Sequence, residues 1–231
     1  MQFSCLCINF RNSLLTSQGN KLEQYLPECV ELAASGLKSE VWAIRNCSLI
    51  LLRSLVDCLF GNHESKTTIE AGWDGKANRI PYHRYPTLPE VLRSLLESGH
   101  KMMSQTADAS TAAESVFPAL DMIRRAGPPD MFRDEIQGNI AQYLSSPVWH
   151  VREMAARTMC SCLLHEGWLS SVQDIFTAAL KAPKKQNMLH GALLVLKFVV
   201  ERLAEVNAEL VLSKSTTTQT LPNITASLTH N

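Results

Sequence analysis

Long apolar runs and a charge excess are both missing from this sequence of 231 residues. No apolar run approaches the ~18 to 20 residues that a membrane-spanning helix requires. Lys197 interrupts the most apolar stretch, Leu189 to Val200. The first residues, MQFSCLCINFRNSLL, lack the basic segment and the long apolar segment of a secretion signal. Lys plus Arg equals Asp plus Glu at 22 each, so no global field attracts the chain to nucleic acid or to a membrane surface. Any basic surface must therefore be local.

Signatures of nucleophilic or cofactor chemistry are also missing. The sequence contains no G-x-S-x-G elbow, no Gly-rich cofactor turn and no Cys within a catalytic signature. Residues 72–77, GWDGKA, resemble a phosphate-binding loop only superficially, because the spacing is short and no Ser or Thr follows the Lys. Cys160 and Cys162 with His165 make a poor metal site, because residues two apart on a helix point in nearly opposite directions. We therefore expect no catalytic residue, no metal and no cofactor in this chain, which is predicted not to be an enzyme.

A disulfide framework is not indicated either. Seven cysteines are an odd number, and five of them lie in apolar helical segments: Cys29, Cys47, Cys58, Cys160 and Cys162. Reduced and buried thiols in a chain of 45% apolar composition are typical of an intracellular protein. The predicted location is the cytoplasm.

The clearest positive feature is the segment Glu40 to Phe60, which contains neither Gly nor Pro. Its apolar side chains recur at helical spacing and cover an unusually wide face, so the helix requires neighbours on at least two sides. The polar side chains Asn46, Arg53 and Asp57 fall in one narrow stripe. Arg45 projects on the apolar side, where a guanidinium needs a specific acceptor.

The turn that precedes this helix occurs twice. The segment Ser39-Glu-Val-Trp-Ala-Ile-Arg45 matches Ser146-Pro-Val-Trp-His-Val-Arg152 at an offset of 107 (152 − 45). Ser, Val, Trp and Arg are identical in the two copies, and Ile in the first corresponds to Val in the second. Each Ser can cap a helix, and proline is tolerated in a first helical turn. Repeats of paired helices run about 40 to 47 residues, so the offset holds between two and three of them. The sequence predicts an all-α, HEAT/armadillo-like helical-repeat solenoid.

The other helices follow from apolar period and end signals. The helix before Glu40 is predicted over Asn20 to Ser35, with a bend at Pro27 and a stop at Gly36. Further helices are predicted over Leu88 to Gln105, from Ser110 or Thr111 to the Arg124–Arg125 pair, from an Asp130 cap to Leu144, and over Pro147–His165, Trp168–Leu180 and Lys184–Glu205. The expected organisation is the end of a preceding repeat helix in 1–19, helical repeats over 20–206 with a long loop at 61–86, and a disordered tail at 207–231.

Two kinds of candidate residue emerge. Arg45 and Arg152 are interpreted as structural, each binding carbonyl or carboxylate oxygens where two helices of a pair meet. Asn46 has no repeat equivalent, since Glu153 occupies the matching place, and it is the more interesting residue. Candidate contacts to a partner or to RNA are Asn46, Arg53, Lys76, Arg79, Tyr82, Arg84, Tyr85, Lys184 and Lys185.

The loop residues among these admit two interpretations. The cations could neutralise phosphates while Trp73, Tyr82 and Tyr85 offer stacking faces. Alternatively, the cations are solvated and the aromatic rings anchor the loop to the solenoid. The second interpretation is favoured for any single residue.

Three segments carry a resemblance to a known family: SEVWAIRNCSLILLRSLVDCLFG, RIPYHRYPTLPEVLRSLLE and ESVFPALDMIRRAGPP. They closely resemble the central region of the thyroid adenoma-associated protein family, in particular its fungal members, over roughly residues 3 to 206. Family proteins are very large armadillo- or HEAT-like solenoids, so the chain is similar to one piece of such a protein. The resemblance implies a non-catalytic auxiliary subunit for tRNA anticodon-loop ribose 2′-O-methylation. A separate catalytic methyltransferase would be the partner and would hold the methyl donor S-adenosylmethionine, and tRNA would be contacted indirectly or weakly.

A different class of function is compatible with the same sequence. The chain could be a general protein-interaction solenoid that serves cytoskeletal, membrane-pump or transport partners and has no RNA role. Without a preceding repeat, the Leu22 to Ala33 helix would expose an apolar side, whereas terminal repeats normally need a polar cap. Poor solubility or self-association of the isolated chain is therefore expected.

Overall fold

The structure is a computed structural model. It describes residues 25–60, 72–105, 109–164, 168–181 and 186–215. These ranges contain eight α-helices, one short 3-10 helix and no strand. The helices are α1 Leu26–Leu37, α2 Trp42–Phe60, α3 Leu88–Gln105, α4 Ala109–Ala126, α5 Arg133–Tyr143, α6 Trp149–Leu163, α7 Trp168–Leu180 and α8 Gln186–Ser215, with the 3-10 helix at Tyr82–Arg84.

The helices form two layers. Consecutive helices contact in pairs: α1 with α2, α3 with α4, α5 with α6, and α7 with α8. The second helices of the pairs also contact one another in order, from α2 through α4 and α6 to α8, while α1, α3 and α5 form the other layer. Each pair therefore buries its apolar faces against the next pair rather than in one central core. The predicted helical-repeat solenoid is confirmed.

The core is a continuous apolar layer between the two rows of helices. Its fully buried side chains include Leu52, Leu55, Leu96, Ile123 and Ile136. Two buried hydroxyl groups bond to carbonyls across this layer. The Tyr143 hydroxyl donates a short hydrogen bond to the Leu96 carbonyl and so joins α5 to α3. The Thr158 hydroxyl donates at 3.0 Å to the carbonyl of Leu120 and joins α6 to α4.

The first pair differs from its prediction at both ends of α1. The helix begins at Leu26, so Pro27 lies in the first turn, where proline costs no hydrogen bond and need not bend the helix. Gly36 lies within the last turn rather than beyond it. A Cβ at this position would collide with the Ser48 side chain, so the glycine permits α1 and α2 to approach closely.

The start of α5 also differs. Asp130 was expected to cap this helix, but α5 begins at Arg133 and its N-cap is Phe132, which adopts a left-handed conformation with φ 60°. The turn at Phe132 places the Asp130 carboxylate against the Arg133 guanidinium, at 2.9 Å. The carboxylate therefore makes an ion pair instead of a cap.

Helix α8 is longer than its prediction. It continues to Ser215, so residues 207–215 are helical and the expected disordered tail is wrong for them. No Gly or Pro lies between Gly191 and Pro222, so nothing in that stretch forces the helix to end. The predicted helix end at 1–19 and residues 216–231 lie outside the described residues. Within the described part of the chain, no helix is both long enough and apolar enough to span a membrane.

Candidate functional site

The two repeated turns have the same hydrogen-bond pattern. In the first, the Ser39 hydroxyl accepts from the Val41 backbone N–H at 3.2 Å. The Arg45 guanidinium Nη1 donates to the carbonyls of Ser39 and Glu40 at 2.9 and 2.8 Å. The arginine thus closes the turn that begins its own helix.

In the second turn, the Ser146 hydroxyl accepts from the Val148 N–H at 3.2 Å, and Arg152 Nη1 donates to the carbonyls of Ser146 and Pro147. Arg152 Nε also donates to His190 Nδ1 of α8 at 3.3 Å. Both guanidinium groups are directed into their own turns, as a structural role requires.

The loop at 72–87 turns its aromatic rings towards the solenoid. Trp73 and Tyr85 are buried, and the Trp73 indole Nε1 donates to the Ala77 carbonyl at 3.0 Å. Tyr82 is half-buried, and its hydroxyl donates to the Gly127 carbonyl at 2.8 Å. Burial raises the pKa of Tyr82 above its ordinary value. The burial of Tyr85 supports the favoured interpretation of this ring as a loop anchor. Tyr82 is anchored through its hydroxyl, but its half-buried ring remains a candidate contact.

The loop cations face outward. Lys76 and Arg84 are exposed and Arg79 is half-buried. The main chain beside them is fixed, since Lys76 N–H donates to the Asp74 carboxylate at 3.1 Å and Arg79 N–H donates to the Ala126 carbonyl at 2.9 Å. Lys184 and Lys185 lie outside the described residues. The three loop cations remain candidate contacts.

The loop is seated on the C-terminal turn of α4. Trp73 N–H donates to the Arg124 carbonyl at 2.8 Å, and the Asn78 side chain donates to the Pro128 carbonyl at 3.3 Å. Gly127, with φ 89°, lies directly under the loop, and a Cβ there would come within 2.7 Å of the Trp73 ring. A backbone without a side chain is therefore needed at this contact.

The candidates on α2 lie on the other flank of the same α4 turn. Arg53 is exposed and lines a groove of about 280 Å³ between α2, α4 and α6, together with Asp57, Asp121, Arg125 and Met154. Asn46 lies two turns earlier on the stripe of α2 that carries Arg53, and it is half-buried. The structure thus brings Arg53 and the loop to either side of the Arg124–Arg125 turn.

A smaller cavity of about 90 Å³ continues this surface towards α8. It is lined by Trp73 of the loop, Arg124 of α4, Arg157 of α6 and Arg202 of α8. Arg202 Nε donates to the Trp73 carbonyl at 3.3 Å, which ties the loop to the last helix. We call the surface that runs from the groove to this cavity the second-helix face, defined by Arg53, Asp57, Asp121, Arg124, Arg125, Arg157 and Arg202.

Most cations of the second-helix face are accompanied by carboxylates. Asp121 is 2.8 Å from Arg124 and 3.4 Å from Arg125. Arg157 pairs with Glu153 at 3.1 Å, and Arg202 pairs with Glu205 at 2.8 Å. A surface compensated in this way attracts phosphate only weakly.

Apart from Arg53, the arginines that line this face were not singled out from the sequence. Arg124 and Arg125 were assigned only to the C-terminal chemistry of their helix, yet they are buried, with exposed fractions of 8% and 5%. Arg125 also stacks on Phe60 of α2, with the guanidinium 4.1 Å from the ring centre. The available signal was Asp121, three and four residues before the pair, since that spacing allows one carboxylate to reach both cations.

The thiols near this surface are poor nucleophiles. Burial raises the pKa of Cys160 and of Cys162 to about 12, so neither forms thiolate at neutral pH. Among the described residues no group of three or more His, Cys, Asp or Glu side chains is arranged to hold a metal ion.

Comparison with known proteins adds a family. Residues 45–199, which reach from α2 into α8, match a family described as "Trm732, C-terminal TPR repeats". That description names paired-helix repeats of TPR type, which share the two-layer plan seen here. No solved structure matches the chain.

Curated relatives carry related names. The chain is 28% identical over 188 residues to the "tRNA (32-2′-O)-methyltransferase regulator trm732" of Schizosaccharomyces pombe. This alignment covers 77% of this chain and 12% of that protein. It is 26% identical over 193 residues to the "tRNA (32-2′-O)-methyltransferase regulator THADA" of Homo sapiens, covering 78% of this chain and 10% of that protein. The chain thus spans about a tenth of the length of these relatives. The resemblance inferred from the sequence is confirmed, and the chain belongs to the family of Trm732 C-terminal TPR repeats.

Proposed function

We propose that this chain is a scaffold segment of a regulator of tRNA ribose 2′-O-methylation and acts through a separate methyltransferase. The observation that carries the proposal is the family match over residues 45–199, which reaches from α2 into α8 and includes helices of both layers. The names of the relatives support the regulatory role, since each is called a regulator of a tRNA (32-2′-O)-methyltransferase.

Chemistry in the partner rather than here is part of the proposal. Two features support it: the buried thiols have raised pKa values, and the repeat arginines are engaged in their own turns. The methyl donor would be bound by the methyltransferase, and the site of action would be the cytoplasm. The contribution of this chain would be to position the partner and its tRNA.

Contact with tRNA would be weak or indirect. The second-helix face is nearly compensated in charge, and the chain as a whole has equal numbers of acidic and basic side chains. Arg53, Arg79 and Arg84 are the cations that we propose for the partner or the tRNA. Asn46 shares the α2 stripe with Arg53 and belongs to the same proposal.

The test is a reconstitution with the full-length regulator, the catalytic methyltransferase and unmodified tRNA. We expect stable association of the two proteins and a gain in 2′-O-methylation of the anticodon loop, read by mass spectrometry. Arg53→Glu and the double change Arg79→Glu, Arg84→Glu are expected to reduce that gain. Lys101→Glu, an exposed change on α3 in the other layer, is the matched control. Absence of any gain with wild-type regulator would overturn the proposal.

A general protein-interaction solenoid without an RNA role is the second candidate. The observation that favours it is the set of exposed apolar side chains on α8, including Leu193 and Val200, which suits protein contacts rather than phosphate. Purification of the full-length protein with another stable partner and without a methyltransferase would support this alternative.

A further inference from the structure

Helix α8 is apolar on two sides, and the solenoid covers only one of them. The helix packs against α6 and α7. The side chains that it buries are Ala192, Val195, Phe198, Val199 and Arg202. The stripe that stays exposed consists of Leu189, Leu193, Leu196 and Val200, with exposed fractions of 39, 51, 36 and 53%. A long helix thus carries an apolar stripe that the described part of the chain does not bury.

The exposed stripe has the spacing of a coiled-coil seam. Leucine occurs at every seventh position of the helix, at Leu189, Leu196, Leu203 and Leu210. The residues four positions after the first three leucines are Leu193, Val200 and Asn207. This alternation of four and three residues extends over three heptads, in which the leucines occupy position d and the other residues occupy position a. A strict seven-residue repeat of this kind is typical of helices that supercoil around each other.

The register directs the seam away from the solenoid. On a helix, the stripe centred on positions c, f and g lies nearly opposite the stripe centred on a, d and e. The buried Val195 and Arg202 are at c, Phe198 is at f and Val199 is at g. The same helix can therefore pack on α6 and bind a second helix along its other side. From the first leucine to the fourth, the seam is roughly 32 Å long.

The residue types in the seam select the partner. Leucine at d with the β-branched Val200 at a favours two parallel helices. Asn207 is a polar residue at a, where a single asparagine specifies the register at a cost in stability. In a parallel and in-register pair the two copies of Asn207 share one layer, and each amide can both donate to the other and accept from it. Against an apolar helix of another kind, the same amide would be buried without a partner.

We propose that α8 forms a parallel, in-register, two-stranded coiled coil with α8 of a second copy of this chain. The contact would bury the exposed leucines and Val200 between the two copies. Arg202 lies at position c, so the second-helix face stays open in the dimer. The dimer is therefore independent of the proposed function and is tested without a methyltransferase or tRNA.

The first test is sedimentation equilibrium of the whole chain under reducing conditions. We expect a monomer–dimer equilibrium, because an isologous seam is complete once two copies have bound. A monomer at every concentration would overturn the proposal, as would open-ended association without a defined dimer.

Two changes in the seam are expected to act in opposite directions. Leu196→Glu places a charge at d and should weaken dimerisation roughly tenfold. Asn207→Leu removes the polar layer and should tighten association about fivefold and admit trimers or tetramers, because the asparagine no longer specifies two strands. Unchanged association in Leu196→Glu, or weaker association in Asn207→Leu, would contradict the proposal.

Two matched controls lie off the seam. Leu180→Glu changes a leucine of α7 that is 67% exposed, and Glu201→Leu adds a leucine at position b of α8. Both should leave the equilibrium unchanged, and circular dichroism checks that each variant is folded. An effect of either control as large as that of its seam variant would show that the heptad positions are not the contact.

The orientation is measured by disulfide cross-linking. Leu189→Cys and Leu203→Cys, prepared separately, each introduce a thiol at d, 14 residues apart (203 − 189). In a parallel, in-register pair each new thiol faces its own counterpart, so mild oxidation should cross-link both variants more than the wild-type chain. An antiparallel pair brings at most one of them within reach. Cross-linking of only one variant, or of neither, would overturn the parallel arrangement.

Discussion

At the scale of residues, the two repeat arginines show how one side chain can define a turn. Each places Nη1 on two successive carbonyls that precede its own helix, so the positive charge is bound to the oxygens that a helix start would otherwise leave to solvent. The surroundings differ, because Arg152 is buried and also reaches His190, whereas Arg45 is half-buried. The two copies are therefore expected to contribute unequally to stability.

Arg152→Ala is expected to lower the free energy of unfolding by about 2 to 4 kcal/mol, because charge-assisted bonds to buried carbonyls are lost. Arg45→Ala should cost about 1 to 2 kcal/mol, since solvent can partly replace the guanidinium. Urea denaturation followed by circular dichroism measures both. Arg53→Ala, exposed on α2, is the control with an effect of about 0.5 kcal/mol or less. A smaller loss for Arg152→Ala than for Arg45→Ala would contradict this assignment.

The buried thiols predict alkaline sensitivity. Burial raises the pKa of Cys160 and Cys162 from 9.0 to about 12, so between these values the native chain holds protons that the unfolded chain releases. The free energy of unfolding should therefore be unaffected below about pH 9 and fall as the pH rises above it, by at most ~1.4 kcal/mol per pH unit for each thiol.

Urea denaturation across that pH range checks the sign. The double change Cys160→Ala, Cys162→Ala should flatten the decline, whereas Cys47→Ala, at a half-buried site, should leave it in place. An equally steep decline in the double variant would show that other groups cause it.

At the scale of elements, the loop at 72–87 is held as part of the solenoid. Its main chain and side chains bond to Arg124, Ala126, Gly127 and Pro128, and Arg202 of α8 donates back to Trp73. The contact depends on Gly127, whose φ of 89° is accessible to glycine at low cost. A small change at this glycine should therefore affect a whole segment.

Gly127→Ala is expected to release the loop and to destabilise the fold by about 2 to 4 kcal/mol, because the new Cβ would meet the Trp73 ring and the backbone would be strained. Trp73 fluorescence should shift to longer wavelength in the variant. Gly138→Ala is the matched control within α5, where nothing lies within 4 Å of an added Cβ, and it should stabilise by about 0.5 to 1 kcal/mol. Native-like fluorescence in Gly127→Ala would argue against a tight contact.

At the scale of the whole molecule, the solenoid leaves apolar side chains exposed along its last pair. Leu189, Leu193, Leu196 and Val200 follow one stripe of α8, with exposed fractions of 39, 51, 36 and 53%. An apolar stripe of this length is typical of a contact surface. The stripe is a second ground for self-association, separate from the first helix that the sequence indicated.

We expect the isolated chain to self-associate as its concentration rises, and the double change Leu193→Glu, Val200→Glu to shift it towards monomer. Sedimentation velocity measures both species. The matched control is Ile50→Glu, at a site on α2 that is 45% exposed. A monodisperse monomer at high concentration for the wild-type chain would contradict the expectation.

Much of the helical architecture followed from local pattern. The predicted bounds of α3 and α7 agree with the structure. Helix α2 begins two residues later than predicted, and α6 begins two residues later and ends two residues earlier. The agreement is close because apolar period and terminal residues act over a few neighbours. The start of α5 could not be predicted in this way. There a left-handed Phe132 and an ion pair decide where the helix begins.

The candidate site was less predictable. The pattern of Arg53 and Asn46 on one polar stripe of α2 survives, but the aromatic rings of the loop are turned inward, and Lys184 and Lys185 lie outside the described residues. The arginines of α4, α6 and α8 were overlooked because each appears in the sequence as an ordinary helical cation beside a carboxylate. Only their convergence around Trp73 distinguishes them.

The sequence by itself determined the all-α class, the repeated turn and the family. Helical period, capping residues and motif similarity can each be recognised within a short segment of sequence. The tertiary structure alone decided which cations are buried and how the loop faces. These features depend on contacts between distant positions, such as Arg202 with Trp73, 129 residues apart. No local pattern encodes such a contact, since it forms only when successive helix pairs have stacked.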